Sequence, residues 1–123
     1  MEIFSGFKLA EREAQKSSYF FQMGAVLVNK NIVLSKGHNQ IRHIKGFDKF
    51  REYDHSLHAE IACLSGVSKD TAKGSDIFVY RIGKKSPMLS LPCKDCMAAL
   101  EFYGVKRIFY STSIFPYYKI IKL

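Results

Sequence analysis

The stretch MGAVLVNKNIVL, residues 23–34, holds two short apolar runs on either side of the polar residues Asn29, Lys30 and Asn31. Apolar runs of this length favour β-strands, and an Asn-containing connection between them is typical of a hairpin turn. The stretch therefore predicts a β-hairpin with strands at 23–28 and 32–34.

Further helices and strands are predicted on both sides of this hairpin. They are a helix at 5–17, a helix at 57–67 with Ser56 as its N-cap, a strand at 77–82, a helix at 92–103 that begins with Pro92 and ends at Gly104, and strands at 105–111 and 117–123. The order α-β-β-α-β-α-β-β favours an α/β fold with helices packed on a sheet. Only residues 112–116 separate the last two strands, and a parallel crossover needs about a dozen residues, so these strands are predicted to be antiparallel.

The length and composition favour one compact domain. The 123 residues are 47% hydrophobic, which is enough to form a single core. No apolar run approaches the roughly 18–20 residues of a membrane span, and the N-terminus lacks the features of a signal peptide. We therefore expect a soluble cytoplasmic protein without a membrane association.

The cysteines and the charges narrow the classes of function. Three cysteines, at 63, 93 and 96, argue against a disulfide scaffold and favour metal binding or catalysis. The net charge of +8 is concentrated in the C-terminal third. This basic region indicates either a phosphate-bearing partner or a solvated surface rich in lysine.

Two short motifs contain the residues that can bind a metal ion or transfer protons. Leu57-His58-Ala59-Glu60 begins one predicted helix, and Ser90-Leu91-Pro92-Cys93-Lys94-Asp95-Cys96 begins another. Two cysteines separated by two residues at a helix start can bind one metal ion, and a histidine would complete three protein ligands. Three ligands leave an open position on zinc, which is the pattern of catalytic sites. Such a site needs a group that transfers protons, and Glu60 is the candidate.

The spacing of His58 and Glu60 presents a geometric difficulty. Residues two apart on a helix point about 200° apart, because each residue advances about 100°. Both side chains can face one site only if that site lies at the first turn of the helix.

The motif H-A-E followed by P-C-x-x-C resembles the signature of the zinc-dependent cytidine/deoxycytidylate deaminase superfamily. The resemblance covers roughly residues 5–112. It implies a three-layer α-β-α fold with a five-stranded mixed sheet, and a single deaminase domain over residues 1–123. The predicted antiparallel ending is similar to the free-nucleoside and short phage-type members.

The resemblance also implies roles for individual residues. It implies that His58, Cys93 and Cys96 bind Zn²⁺ and that Glu60 transfers protons. It also implies that the Ala59 N–H binds the pyrimidine carbonyl and that Asn39 contacts the sugar. The turn formed by Ser90, Leu91 and Pro92 is implied to face the exocyclic amine. The implied reaction is hydrolytic deamination of a cytosine nucleoside or nucleotide to the uracil product.

Several alternatives remain open at this point. The substrate could instead be cytosine in single-stranded nucleic acid, because the basic residues Arg42, Lys45, Lys49 and Arg51 lie in a long loop. The protein could also be a catalytically idle binding protein, although the intact Glu60 argues against this. Other amino-substituted rings are further candidate substrates. We favour a free nucleoside or nucleotide.

The individual residues also have other interpretations. Cys93 and Cys96 could form a redox pair, and His38, His55 or Cys63 could complete a structural zinc site. Asn39 could be a turn residue only. Three aromatic residues of the long loop could stack on a base or pack on the core, namely Phe47, Phe50 and Tyr53. Finally, the apolar last strand predicts a sheet edge and a homo-oligomer.

Overall fold

The computed structural model describes residues 1–40 and 57–123, which form four helices and five strands. The elements are α1 (Ile3–Ala14), β1 (Met23–Asn29), β2 (Ile32–His38), α2 (Ala59–Leu64), α3 (Lys69–Ala72), β3 (Asp76–Arg81), α4 (Lys94–Phe102), β4 (Arg107–Ser111) and β5 (Tyr118–Lys122). The predictions that concern His55 and the basic and aromatic residues of the long loop lie outside the described residues. Within the described ranges, no helix is both long enough and apolar enough to span a membrane.

The five strands form one mixed sheet in the order β2-β1-β3-β4-β5. Strands β3 and β4 are parallel, and the other neighbouring pairs are antiparallel. The predicted hairpin is confirmed: Lys30 and Asn31 join β1 to β2 with φ values of 49° and 66°, the left-handed backbone of a tight two-residue turn. The predicted antiparallel pairing of the last two strands is also confirmed.

The helices pack on both faces of the sheet, so the predicted three-layer α/β fold is confirmed. Side chains alternate along β1: Val26 and Val28 pack with Ala10 of α1, whereas Ala25 and Leu27 face the layer of α2 and α4. The core is thus divided by the sheet into two clusters. The helix α3 was not predicted, because four residues are too few to show helical periodicity.

Gly37 of β2 allows the sheet to approach the start of α2 closely. A Cβ atom at this position would overlap the backbone of Ala59 and Cys63. The absence of a side chain therefore fixes the first turn of α2 directly against β2. This contact sets the position of the H-A-E motif relative to the sheet.

Candidate active site

The first turn of α2 positions His58 and Glu60. Helix α2 begins at Ala59, with His58 at the N-cap in an extended conformation, φ −72° and ψ 153°. Leu57 forms a β-bridge with Gln40, and its N–H donates to the Gln40 carbonyl. The prediction of a helix from residue 57 with Ser56 as its N-cap is therefore wrong, because this bridge keeps the backbone extended.

This later start resolves the geometric difficulty between the two side chains. His58 precedes the helix, so its direction does not follow the helical advance of about 100° per residue. Glu60 is in the first turn. Both side chains can therefore line the same cavity, and they do.

The first turn of α4 positions the two cysteines. Cys93 is the N-cap, and its Sγ atom accepts a hydrogen bond from the Cys96 N–H at 3.5 Å. Pro92 lies one residue before the cap, so the prediction that it occupies the first helical turn is wrong. The end of α4 agrees with prediction, because Gly104 follows it with a positive φ of 75°.

The three predicted ligands come together at these two helix starts. His58 Nδ1 lies 3.3 Å from Cys96 Sγ and 3.6 Å from Cys93 Sγ. All three ligand atoms lie within 4.8 Å of one another. Ligand atoms of a tetrahedral zinc ion lie about 3.3–3.8 Å apart, so the donor set fits zinc in its chemistry and the two distances from His58 fit in spacing.

The surroundings of Cys93 favour its thiolate form. A hydrogen bond from Cys96 lowers the pKa of Cys93 to about 4, although partial burial opposes this shift. Hydrogen bonds from the His58 side chain and the Cys96 N–H contribute to the same lowering of the pKa. A thiolate is the form that binds a metal ion.

Cys63 has the opposite character. It is buried in the core, and burial raises the pKa of its thiol to about 12. Among the described residues, the metal-ligating group contains His58, Cys93 and Cys96, without Cys63 or His38. Neither residue supports the alternative of a fourth protein ligand.

Glu60 is a buried acid beside this group. Glu60 is 2% exposed, and burial raises the pKa of its carboxyl group. Among the residues that the structure describes, the Oε1 atom has no hydrogen-bond partner. Because a buried polar atom without a partner is costly, this oxygen indicates a site for a water molecule or a ligand.

A cavity of about 200 Å³ lies beside Glu60, His58 and Cys93. It is lined by Phe21, Met23, Asn39, His58, Glu60, Arg81, Leu89, Leu91 and Cys93. One part of the wall is formed by His58, Cys93 and Glu60, and the rest is largely apolar. Such a cavity suits a flat, partly polar ring.

The predicted substrate-binding residues differ in their relation to the cavity. Asn39 and Leu91 line it, whereas Ala59, Ser90 and Pro92 do not. The Ser90 hydroxyl donates to the Val79 carbonyl at 2.8 Å and accepts from the Ser111 N–H at 2.7 Å. The Ser90 side chain therefore fixes the turn to β3 and β4.

Asn39 has a structural role in the described residues. Its Oδ1 atom accepts from the Met23 N–H, and its Nδ2 atom donates to the Phe21 carbonyl, both at 2.8 Å. Each of these atoms retains the capacity for one more hydrogen bond. Asn39 thus fixes the segment before β1 and still lines the cavity.

Sequence reasoning missed four residues that line the cavity: Phe21, Met23, Arg81 and Leu89. Arg81 had a sequence indicator, because it is a cation at the end of the otherwise apolar run IFVYRI. Phe21, Met23 and Leu89 had no indicator, since apolar residues beside strands are as typical of a core.

The fold and the His-Cys-Cys group beside a buried acid define the class of zinc-binding deaminase domains. The chain belongs to the cytidine and deoxycytidylate deaminase zinc-binding family, whose model matches residues 5–112. It is a deaminase-like enzyme of this family, and the family's zinc-binding region together with the ligand group supports Zn²⁺ as its cofactor. No curated protein matches the chain significantly.

Solved structures share this fold at low sequence identity. The dCMP deaminase of cyanophage S-TIM5 in its apo form has a TM-score of 0.63 and 24% identity, over 91% of this chain and 86% of that one. A cytidine deaminase from Burkholderia pseudomallei has a TM-score of 0.67 and 16% identity, over 99% and 93%. The cyanophage enzyme has also been solved in complex with dCMP and dUMP, at 23% identity over 85% and 76% and a TM-score of 0.59.

Proposed function

We propose that this protein deaminates a cytosine nucleoside or nucleotide by hydrolysis and releases ammonia. Water supplies the oxygen of the uracil product, and the bond between the ring carbon and its exocyclic nitrogen breaks. The observation that carries the proposal is the Glu60 Oε1 atom, which is buried without a partner among the described residues. Glu60 lines the same cavity as the ligands His58 and Cys93. Family membership supports the reaction class, and the cyanophage neighbour solved with dCMP and dUMP supports this type of substrate.

The metal would be held by His58 Nδ1 and by the Sγ atoms of Cys93 and Cys96. Zinc, when bound, supplies the activation of a water molecule for attack on the amine-bearing ring carbon. The low pKa of Cys93 keeps its thiol ionised for this task.

Glu60 would carry the protons of the reaction. It would accept one proton from water and donate it to the ring nitrogen. It would then take the second proton of that water from the oxygen now bound to the ring carbon and give it to the amine, which leaves as ammonia. Burial raises the pKa of this carboxyl group, so that it holds a proton more readily than a solvated glutamate does. A group that must both accept and donate a proton needs this property.

Main-chain groups at the two helix starts would hold the ring. Ala59 is the first residue of α2, so its N–H has no acceptor within the helix and can bind the pyrimidine carbonyl. The turn Ser90, Leu91 and Pro92, fixed by the Ser90 hydroxyl, would place a main-chain carbonyl near the exocyclic amine. Asn39 would contact the sugar with its remaining hydrogen-bond capacity.

Mass spectrometry on a mixed panel tests this function. Zinc-loaded protein is incubated with free bases, nucleosides, nucleotides and short oligonucleotides, and each is examined for the gain of about 1 Da that replacement of an amine by an oxygen produces. We expect turnover of at least one cytosine compound and loss of turnover in Glu60→Ala. If no compound reacts, the protein is an idle binding protein; if only adenine or guanine compounds react, the assignment of the base is wrong.

A further inference from the structure

A second cavity lies on the other face of the sheet from the catalytic residues. It has a volume of about 550 Å³ and is bordered by α1, by the start of β5 and by Tyr80 of β3. Tyr80 packs with the core cluster of α1, whereas α2 and α4 pack on the opposite face of the sheet. No described residue lines both this α1 cavity and the catalytic cavity.

The wall of the α1 cavity is rich in aromatic rings. Five of its eleven described lining residues are aromatic, namely Phe4, Phe7, Tyr80, Tyr117 and Tyr118. The ring centroid of Phe7 lies 5.7 Å from that of Tyr118, so the helix side and the strand side of the wall are in contact. Because the face of an aromatic ring carries negative electrostatic potential, a wall of several rings attracts cations.

One side of α1 places charged groups among these rings. Phe4, Phe7, Lys8 and Glu11 follow the spacing of three and four residues that brings side chains together on one side of a helix. The Lys8 ammonium lies 5.6 Å from the centroid of the Phe4 ring, which is within the range of a cation–π interaction. A cation of the chain itself therefore already occupies one ring face of this wall.

Glu11 gives the α1 cavity a half-buried acid. Burial, the charge of Glu11 and a hydrogen bond between the two side chains all raise the pKa of Tyr80, so the phenol keeps its proton and donates a hydrogen bond to the carboxylate. A carboxylate can accept about four hydrogen bonds, so Glu11 has the capacity to bind a further donor. The charged residues in the described wall are the acids Glu2 and Glu11 and the base Lys8, a net charge of −1 in a chain of net charge +8.

The rings and the acid together determine which charge a ligand should carry. A neutral apolar ligand would remove water from the Glu11 carboxylate without replacing its hydrogen bonds, which is costly. An anion would in addition be repelled by Glu2 and Glu11. An ammonium group would instead give Glu11 a charged hydrogen-bond donor, while the apolar body that carries this group packs on the rings.

We propose that the α1 cavity binds a small organic ammonium compound. Its charged group contacts the Glu11 carboxylate, and its apolar body lies against Phe4, Tyr117 and Tyr118. The volume of the cavity is within the range of about 300–1,000 Å³ that is typical of small-molecule sites, so it accommodates both parts of such a ligand. This binding does not depend on the proposed deamination, because the two sites share no described residue.

Three probes of similar shape and different charge test the ligand class. They are phenethylammonium, neutral phenethyl alcohol and anionic phenylpropionate, each titrated at pH 7 into isotope-labelled protein while the backbone amides are followed by NMR. We expect phenethylammonium to bind about 2- to 30-fold more tightly than the alcohol, which is the range of a cation–π contact, and phenylpropionate to bind most weakly. The amides of α1 and of residues 117–118 should shift. Absence of saturable shifts there, or equal affinity for the three probes, would overturn the proposal.

Variants of the wall assign the individual contacts. Glu11→Gln should reduce the affinity for phenethylammonium to that for the alcohol, because the amide can still accept from Tyr80 but carries no charge. Lys8→Gln should tighten the binding of phenethylammonium about 2- to 5-fold, since the cation that competes for the Phe4 ring is removed. Phe4→Ala should weaken the binding of both probes. If Glu11→Gln binds phenethylammonium as the wild type does, the proposed contact with the acid is wrong.

Matched variants control for general charge and for exposed rings. Glu101→Gln removes an exposed acid from α4, on the other face of the sheet, and Phe20→Ala removes a ring that is 85% exposed and does not line the α1 cavity. Both controls should bind phenethylammonium as the wild type does. Losses equal to that of Glu11→Gln or Phe4→Ala would reduce the binding to non-specific attraction and contradict the proposal.

A second copy of the chain is the other candidate occupant of the α1 cavity. Ile114 and Phe115 are 78% and 80% exposed, directly before Pro116 and Tyr117 in its wall. The same titration is therefore repeated with Phe115→Ser, and the mass of each protein is measured by light scattering. We expect both proteins to bind phenethylammonium. If a monomeric Phe115→Ser binds it and an oligomeric wild type does not, the cavity is part of an interface between copies and the small-ligand proposal is wrong.

Discussion

The carboxyl group of Glu60 is buried, and no described residue donates a hydrogen bond to its Oε1 atom. A structural carboxylate would have such partners, whereas a proton-transfer group keeps an oxygen available for water or substrate. We predict that Glu60→Gln lowers turnover by about 10²–10⁴-fold, because the amide cannot exchange protons. Zinc content and circular dichroism should be unchanged. Glu101→Gln alters an exposed acid on α4 and serves as the control. Turnover within tenfold of the wild type would assign the proton transfer to another group.

The same carboxyl group should reduce the stability of the metal-free protein. Burial raises the pKa of Glu60, so the folded chain binds a proton more tightly than the unfolded chain does. Stability is therefore highest below the unfolded pKa of about 4.5, and it decreases as pH rises from there through the higher pKa of the folded chain. We predict that Glu60→Gln raises the free energy of unfolding by about 1–2 kcal/mol at pH 7 and by much less near pH 4. Urea unfolding of chelator-treated protein at both pH values measures this; an equal difference at both would contradict it.

The cysteine thiols should divide into two classes by metal content. Cys93→Ser and Cys96→Ser should each lose zinc and stability together, because the site assembles with the fold. Cys63→Ala should retain about one zinc ion per chain while losing stability to a core cavity, since the Cys63 thiol is buried and protonated. Elemental analysis after purification without chelators measures zinc. A folded, active and metal-free wild type would refute the zinc assignment.

At the scale of the elements, Asn39 joins the end of β2 to the segment that leads into β1. We predict that Asn39→Ala destabilises the fold by about 2–4 kcal/mol, because the Met23 N–H and the Phe21 carbonyl lose their partners. Turnover at saturating substrate should also fall, because Phe21 lines the cavity. Thermal unfolding and steady-state kinetics measure the two effects. If turnover falls and stability does not, Asn39 acts only as a ligand contact.

The sequence predicted the elements better than it predicted their starts. Periodicity and turn residues placed the hairpin at Lys30 and Asn31, and the short connection after β4 placed the antiparallel β5. The start of α2 was missed because a long-range contact determines it, namely the pairing of Leu57 with Gln40. The start of α4 was missed because Cys93, one residue after Pro92, caps this helix. Phe21 and Arg81 meet at the cavity for the same reason, since only tertiary packing brings the end of β3 beside the segment before β1.

At the scale of the whole molecule, apolar side chains remain exposed at the β5 edge of the sheet. Ile114 and Phe115, in the connection before β5, are 78% and 80% exposed, and Ile120 on β5 is 42% exposed. The sheet order places β5 at an edge, with β4 as its neighbour. An apolar edge strand next to exposed rings would promote non-specific association if it were left in solvent.

We therefore predict a homo-oligomer that buries this edge. Light scattering at micromolar concentration should give a mass of at least twice 14.1 kDa. Phe115→Ser/Ile120→Lys should shift the protein to a monomer, because a buried lysine in the interface would be desolvated without a partner. Ile32→Lys, at a 63% exposed position on the opposite edge strand β2, is the matched control and should leave the mass unchanged. A monomeric wild type would refute the association, and dissociation by Ile32→Lys alone would place the interface at β2.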